Sequence, residues 1–183
     1  MIISLIFLQF SALSAPIKSS GTIGYLQQLN EEDWILKAEA LHYLSENKVQ
    51  EALENILKIT KDEGERPWIR SKALAAYCKI QNSQDIPQIL STFASSPDHV
   101  LREGAAESAG LVQGKRGAEI LLKLSTDKIK PVQFRALASY SRIMREDAWP
   151  LAQKMTESVP DELIPLAAES LALIGNKDAL ERL

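Results

Sequence analysis

The sequence has few of the residues from which catalytic and metal sites are usually built. It contains one cysteine, Cys78, and two histidines, His42 and His99, among 183 residues. A single cysteine can form neither an intramolecular disulfide nor a thiolate metal cage, and the apolar residues around Cys78 predict a buried, inert thiol. The two histidines stand far apart, without the spacing of a metal site or of a base beside a nucleophile. We therefore predict no catalytic residue and no metal ligand.

An excess of positive charge is also absent. The chain has 21 Lys and Arg against 24 Asp and Glu, a net charge of −3 and a pI near 5.5. Proteins that bind phosphate backbones normally carry a basic surface, so this balance argues against a nucleic-acid partner. The eight glycines match neither a P-loop nor a dinucleotide fingerprint. We therefore expect no cofactor.

No apolar run is long enough to span a bilayer. Residues 1–15 hold a short apolar run followed by small residues, which resembles a secretory signal peptide, although no Lys or Arg precedes the run. Cleavage after Ser14 or Ala15 would leave a mature chain without a membrane span, in the periplasm or outside the cell. The alternatives are a start-site artefact or an N-terminal helix that caps the fold, with a cytoplasmic location.

A repeat with intervals of 31 to 33 residues runs through the rest of the chain. Five apolar residues begin five units, and an alanine follows each of them by four positions. Offsets eight and eleven are also mainly apolar, which gives one stripe of an α-helix, and the alanines predict close helix packing. The unit starts are Leu36, Ile69, Leu101, Val132 and Leu163, and the alanines are Ala40, Ala73, Ala105, Ala136 and Ala167.

A second apolar stripe begins at offset seventeen of each unit, after residues that favour turns. The prolines precede or begin the predicted helices, and none falls in a helix middle, where it would remove a hydrogen bond. Alternation of period two is nowhere sustained, which argues against a β-sheet. We predict an all-α fold, a right-handed α-solenoid of about five helical-pair repeats over residues 32–183, with residues 16–31 as a lead segment containing a capping turn.

The segments 69–74, 101–110 and 166–176 resemble the Val-Arg-x-x-Ala-Ala-x-Ala-Leu-Gly-x-Ile-Gly-Asp pattern of short bacterial HEAT repeats, a type also found in phycobilin lyases. The resemblance covers roughly residues 32–183, nearly all of the predicted mature chain, and implies a HEAT-like fold, but such a fold specifies little about function. It also implies a partial ladder of ion pairs between basic residues at offset one and aspartates near the second helices. The basic residues are Lys37, Arg70 and Arg102, and the aspartates are Asp85, Asp147 and Asp178.

Two groups of residues are candidates for binding a partner. Trp34 and Trp68 occupy nearly equivalent places just before their units begin, where aromatic side chains can anchor an interface or cover the core between repeats. If the solenoid curves as its relatives do, the second helices line its concave face. Their outward residues then form a mixed-charge surface for a protein ligand: Glu54, Lys58, Gln88, Ser91, Lys123, Lys154 and Glu157.

These observations favour an exported protein-protein interaction or scaffold module without catalytic activity. The resemblance leaves a second reading, a lyase-like enzyme or a binder of a small chromophore. A third is an assembly subunit that is stable only beside a larger enzyme. The fifth unit leaves one apolar side thinly covered, so we also predict that this end pairs with another copy or docks on a partner.

Overall fold

The computed structural model describes residues 21–81, 86–112 and 117–181. Within these ranges the chain is helical, without strands, which confirms the all-α prediction. The predicted signal peptide lies outside the described residues, and so do residues 82–85 and 113–116, which belong to the turns predicted before the second stripes of the second and third units. No helix in these ranges combines the length and the hydropathy that crossing a membrane requires. The helices are α1 Thr22–Gln28, α2 Trp34–Glu46, α3 Leu53–Lys61, α4 Pro67–Ile80, α5 Ile86–Ala94, α6 His99–Ala109, α7 Ala118–Leu124, α8 Lys130–Met144, α9 Trp149–Met155, α10 Ile164–Ile174 and α11 Lys177–Leu180.

Local sequence signals place the helix ends. The side chains of Asp33 and Asp98 accept hydrogen bonds of 2.8 Å from the backbone N–H two residues later, and so cap α2 and α6. Pro67 begins α4, where a missing N–H leaves no hydrogen bond unmade. Gly175 ends α10 in the left-handed conformation, with φ 70°, which a residue with a Cβ adopts only at a cost.

The first helices of successive units, α2, α4, α6, α8 and α10, pack side by side through small residues. The repeated alanine is fully buried in the first four units and nearly so in the fifth. The backbones of α4 and α6 approach closely, because a Cβ added to Gly104 would lie 2.4 Å from Ser71 Oγ. Ser71 Oγ also donates across this contact to the carbonyl of Val100 at 3.1 Å. The spacing of alanines therefore predicted the helix contact correctly.

Each second helix packs against the first helix of the following unit: α3 on α4, α5 on α6, α7 on α8 and α9 on α10. The first helices form one layer and the second helices another. The core is apolar and includes the fully buried Leu41, Leu74, Phe134 and Leu137. The lead segment contains α1, which packs against α2. The stacked rings of Tyr25 and Tyr43, with centroids 4.0 Å apart, belong to this contact.

The predicted ladder of basic residues with Asp147 and Asp178 is wrong in its partners, and Asp85 lies outside the described residues. Lys37 pairs with Glu65 and Arg102 with Asp127, because the carboxylates that reach offset one stand in the loops that follow second helices. A different set of ion pairs links each first helix to the next. Its members are Glu46 with Lys79, Lys72 with Glu107, Glu103 with Arg135, and Arg142 with Glu169.

Candidate functional site

Two tryptophans form an exposed aromatic pair at the starts of adjacent first helices. Trp34 begins α2, and Trp68 is the second residue of α4. Their ring centroids lie 5.7 Å apart and their planes meet at 85°, an edge-to-face contact. The guanidinium carbon of Arg66 lies 5.8 Å from the centroid of the Trp34 ring. Trp34 is 40% and Trp68 42% exposed, so both rings remain open to a partner.

A cleft of about 360 Å³ extends from Trp68 across α2, α4 and α6, and we name it the first-helix cleft. The ion pairs of Lys79 with Glu46 and of Lys72 with Glu107 belong to its walls. The hydrogen bond and the positive charge of Lys79 hold the pKa of the Glu46 carboxyl below its ordinary value. The cleft is lined by Ala38, Leu41, His42, Ser45, Glu46, Trp68, Lys72, Ala75, Ala76, Lys79, Glu107 and Leu111.

A second cleft, of about 350 Å³, lies between α3 and α5 with α4 as its floor, and we name it the second-helix cleft. Its walls are partly apolar and carry two cations, Lys61 and Arg70, against one anion, Glu63. Arg70 lies over the Phe93 ring, with its guanidinium carbon 5.5 Å from the ring centroid. The lining residues are Leu57, Thr60, Lys61, Glu63, Arg70, Tyr77, Gln88, Ile89, Thr92 and Phe93.

A third cleft, of about 440 Å³, lies between the end of α9 and the start of α10. It includes Ile164, which is 52% exposed, whereas the equivalent position in α6 holds the buried Arg102. We name it the C-terminal cleft. Its lining residues are Thr156, Glu157, Val159, Ile164, Ala167, Ala168 and Leu171.

The residues predicted to bind a partner line different clefts. Trp68 lines the first-helix cleft, Gln88 the second-helix cleft and Glu157 the C-terminal cleft, while Lys58 borders a smaller depression beside α3. The remaining polar members of the set are exposed, as periodicity predicted, but line none of these four hollows. They are Glu54, Ser91, Lys123 and Lys154.

The residue pair with the most specific geometry, Arg102 with Asp127, is structural. Arg102 Nε and Nη2 donate to the two carboxylate oxygens of Asp127 at 2.7 and 3.1 Å, and Nη1 donates to the carbonyls of Ser96 and Pro97, each at 2.9 Å. Burial opposes ionisation of Asp127, but the bonds from Arg102 and from the N–H of Ile129 outweigh it and lower the pKa of the carboxyl. The pair therefore ties the start of α6 to two loops.

The described residues contain no group of three or more His, Cys, Asp or Glu side chains placed to hold a metal ion. Cys78 is buried, as predicted, and burial raises the pKa of its thiol to about 12. Arg70, Tyr77 and Phe93 line the second-helix cleft but were not predicted from the sequence as site residues. The sequence nevertheless distinguishes Arg70 from Arg102, which has the same offset in its unit. The turn position that holds Asp127, the partner of Arg102, in the third unit holds Ser96 in the second unit.

Comparison with known families assigns the class of the chain. Residues 24–110 match the model of the HEAT-repeat family, so this part of the chain contains HEAT repeats, and the HEAT-like class predicted from the sequence is confirmed. A chain of the complex of CpcE and CpcF of phycocyanin lyase from Nostoc sp. PCC7120 is similar in structure, with a TM-score of 0.58 and 21% sequence identity. The match covers 87% of this chain and 67% of that one, and at this identity it shows the fold alone. Comparison with curated proteins gave no match.

Proposed function

We propose that the protein is an interaction module that binds another protein through the aromatic pair of Trp34 and Trp68 and the adjoining first-helix cleft. The observation that carries the proposal is the exposure of two tryptophans in contact with each other, with Arg66 over the ring of Trp34. Tryptophan and arginine are the residues most enriched among interface positions that dominate binding energy. A partner that covers the pair removes two large apolar surfaces from water.

The cleft beside the tryptophans supports recognition rather than chemistry. Its lysines and glutamates neutralise one another in ion pairs, with Lys72 Nζ 3.3 Å from a Glu107 oxygen. Such pairs can exchange partners at modest cost, because exposed ion pairs contribute little to stability. We therefore assign no catalytic step to the chain. The structural relative is a component of a complex of two proteins, which supports a protein partner for this fold.

Export and self-association complete the proposal. The apolar residues 1–15 support delivery to the periplasm or the exterior. Self-association through the fifth unit stays a prediction, supported by the exposure of Ile164, which lines the C-terminal cleft, and of Leu180 on α11, 52% and 53%. The chromophore-binding alternative also stays a prediction, and no specific feature of the described clefts favours it.

Capture of partners by the full chain tests the proposal, with a Trp34→Ala/Trp68→Ala double variant beside the wild type. Truncation of a dominant interface residue costs about 2 kcal/mol or more, so the affinity for the captured protein should fall at least about thirtyfold. Leu122→Ala is the matched control, because Leu122 is an apolar residue of similar exposure, 45%, on α7. Retention of the partner by the double variant would contradict the proposal, and so would an equal loss of the partner in the control.

A further inference from the structure

The second-helix cleft lies on the opposite side of α4 from the first-helix cleft. Arg70 and Tyr77 line the former, whereas Trp68 and Ala75 line the latter. Arg70 stands two positions after Trp68, and Tyr77 stands two positions after Ala75. Two positions correspond to a rotation of about 200° around an α-helix. The two clefts can therefore bind different segments, and a partner at the tryptophans leaves the second-helix cleft open.

Arg70 stands in the second-helix cleft with most of its donors unused. Its Nε donates to the carbonyl of Thr60 at 3.2 Å, and the flat guanidinium lies against Phe93. In the described part of the chain, no carboxylate lies within ion-pair distance of Arg70, and its two terminal nitrogens meet no acceptor at hydrogen-bond distance. Because arginine carries five N–H donors in a planar fork, the outer edge of this guanidinium remains available to a ligand.

The third unit shows what an arginine at this position does when a carboxylate is present. Arg102 occupies the same offset as Arg70 and binds both oxygens of Asp127. Asp127 and Ser96 are equivalent, because each stands five residues before the next unit begins. Each side chain also accepts from the backbone N–H two residues later, at 2.9 and 3.1 Å. Because serine replaces aspartate at this position, Arg70 lacks the equivalent of the carboxylate that Arg102 binds.

We infer that the second-helix cleft binds an acidic side chain of a partner protein, with Arg70 holding the carboxylate through its terminal nitrogens. The ammonium group of Lys61 adds a second positive charge at the cleft. The two positive charges of Arg70 and Lys61 together outweigh the single negative charge of Glu63. Arginine and carboxylate form bidentate, charge-assisted hydrogen bonds, the strongest of the common side-chain pairs. The inference rests on the proposed function, because it assumes a protein partner and specifies the chemistry of one of its segments.

The size and lining of the cleft specify the occupant further. A volume of about 350 Å³ is at the small end of the range for ligand sites, which suits a short peptide segment. Leu57, Ile89 and Phe93 offer apolar contacts beside the guanidinium. The occupant is therefore a Glu or Asp residue flanked by apolar side chains in a segment of the partner.

Two synthetic peptides test this directly on the intact full-length chain. The first is an end-blocked Ser-Leu-Glu-Leu-Ser peptide, and the second carries Gln in place of Glu. We expect saturable binding of the Glu peptide with a shift of the Arg70 side-chain Nε–H resonance in NMR spectra. The Gln peptide should bind at least tenfold more weakly, because a neutral amide lacks the charge-assisted pair with arginine. Equal binding of both peptides, or no saturable binding of either, would overturn the inference.

Variants locate the site independently. Arg70→Gln should weaken binding of the Glu peptide at least tenfold, and Arg70→Lys, which keeps the charge but loses the fork, should weaken it less. Lys130→Gln is the control, since Lys130 is an exposed cation at the start of α8 outside the cleft, and it should change the affinity less than twofold. Circular dichroism melts verify that each variant folds. Unchanged binding by a folded Arg70→Gln variant would also overturn the inference.

The outcomes separate this inference from the proposed function. If a protein is captured through the tryptophans while the Glu peptide fails to bind, the inference falls and the proposed function stands. If the Glu peptide binds at Arg70 but the chain captures no protein, the carboxylate site is supported and the proposed function is refuted. Shifts confined to Trp68 and the first-helix cleft would place the peptide on the wrong side of α4 and reject the inference.

Discussion

The buried ion pair of Arg102 and Asp127 provides the sharpest test of how the repeats are held together. The two side chains are only 7% and 9% exposed. Asp127→Asn leaves the shape of the side chain almost unchanged but removes the charge that faces the Arg102 guanidinium. Removal of one member of a buried pair typically costs about 3–5 kcal/mol, because the other charge remains buried without compensation.

The size of the effect follows from the contacts that survive. The amide oxygen can still accept from the backbone N–H of Ile129, and Arg102 keeps its bonds to the carbonyls of Ser96 and Pro97. We therefore expect Asp127→Asn to lower the free energy of unfolding by about 3 kcal/mol, the lower end of this range. For a chain of this size, that loss lowers Tm by about 6–12 °C in a thermal melt followed by circular dichroism.

An ion pair with the same distance between its charged atoms but greater exposure serves as a matched control for the effect of burial. Arg142 Nη2 and Glu169 Oε1 are also 2.7 Å apart, but the two side chains are 39% and 38% exposed. Exposed pairs contribute up to about 1 kcal/mol, so Glu169→Gln should lower Tm by no more than about 4 °C. A Tm for Asp127→Asn as high as that for Glu169→Gln would refute the argument that burial of the pair makes it important.

Three further predictions concern stability and reactivity. Asp127 and Glu65 have lowered pKa values in the folded state, so their contribution to the free energy of unfolding is present above about pH 5 and is lost as the pH falls towards those values. In urea melts, the free energy of unfolding of Asp127→Asn should therefore depend less on pH in the acid range than that of the wild type. Gly104→Ala should reduce the free energy of unfolding by about 1–2 kcal/mol, because the new Cβ meets Ser71 and this clash outweighs the better helix propensity of alanine. In urea melts, adding Ser71→Gly to this variant should restore part of the lost stability. Cys78 should react with a thiol reagent only in denaturant, because burial raises the pKa of its thiol to about 12; rapid labelling of the native protein would contradict this.

The periodic features of the fold could be predicted from the sequence because they arise from contacts that recur at fixed spacing. The alanine four positions into each unit predicted close packing of first helices, and Ala40, Ala73 and Ala105 are completely buried. The exposure of polar residues such as Lys123 on second helices followed from the same period. A helix has one buried side whatever its neighbours are, so its pattern of apolar residues already specifies that side.

Contacts between charged residues could not be predicted in the same way. The resemblance to HEAT repeats implied Asp147 and Asp178 as partners of the basic residues, whereas Arg102 reaches Asp127. Ion pairing depends on a few ångströms of loop geometry, and those distances vary with the length of each turn. The positions of Trp34 and Trp68 were visible in the sequence, but their contact depends on how α2 and α4 are aligned.

The sequence by itself determined the all-α class, the helical-pair repeat and the small residues at the helix contacts, because each depends on a local pattern repeated about every 32 residues. Only the tertiary structure decided which side of each helix carries a cleft. It also decided that Arg102 has a carboxylate and Arg70 has none among the described residues. These features arise where separate units meet, and the distances between units follow from packing of the whole stack rather than from any one repeat.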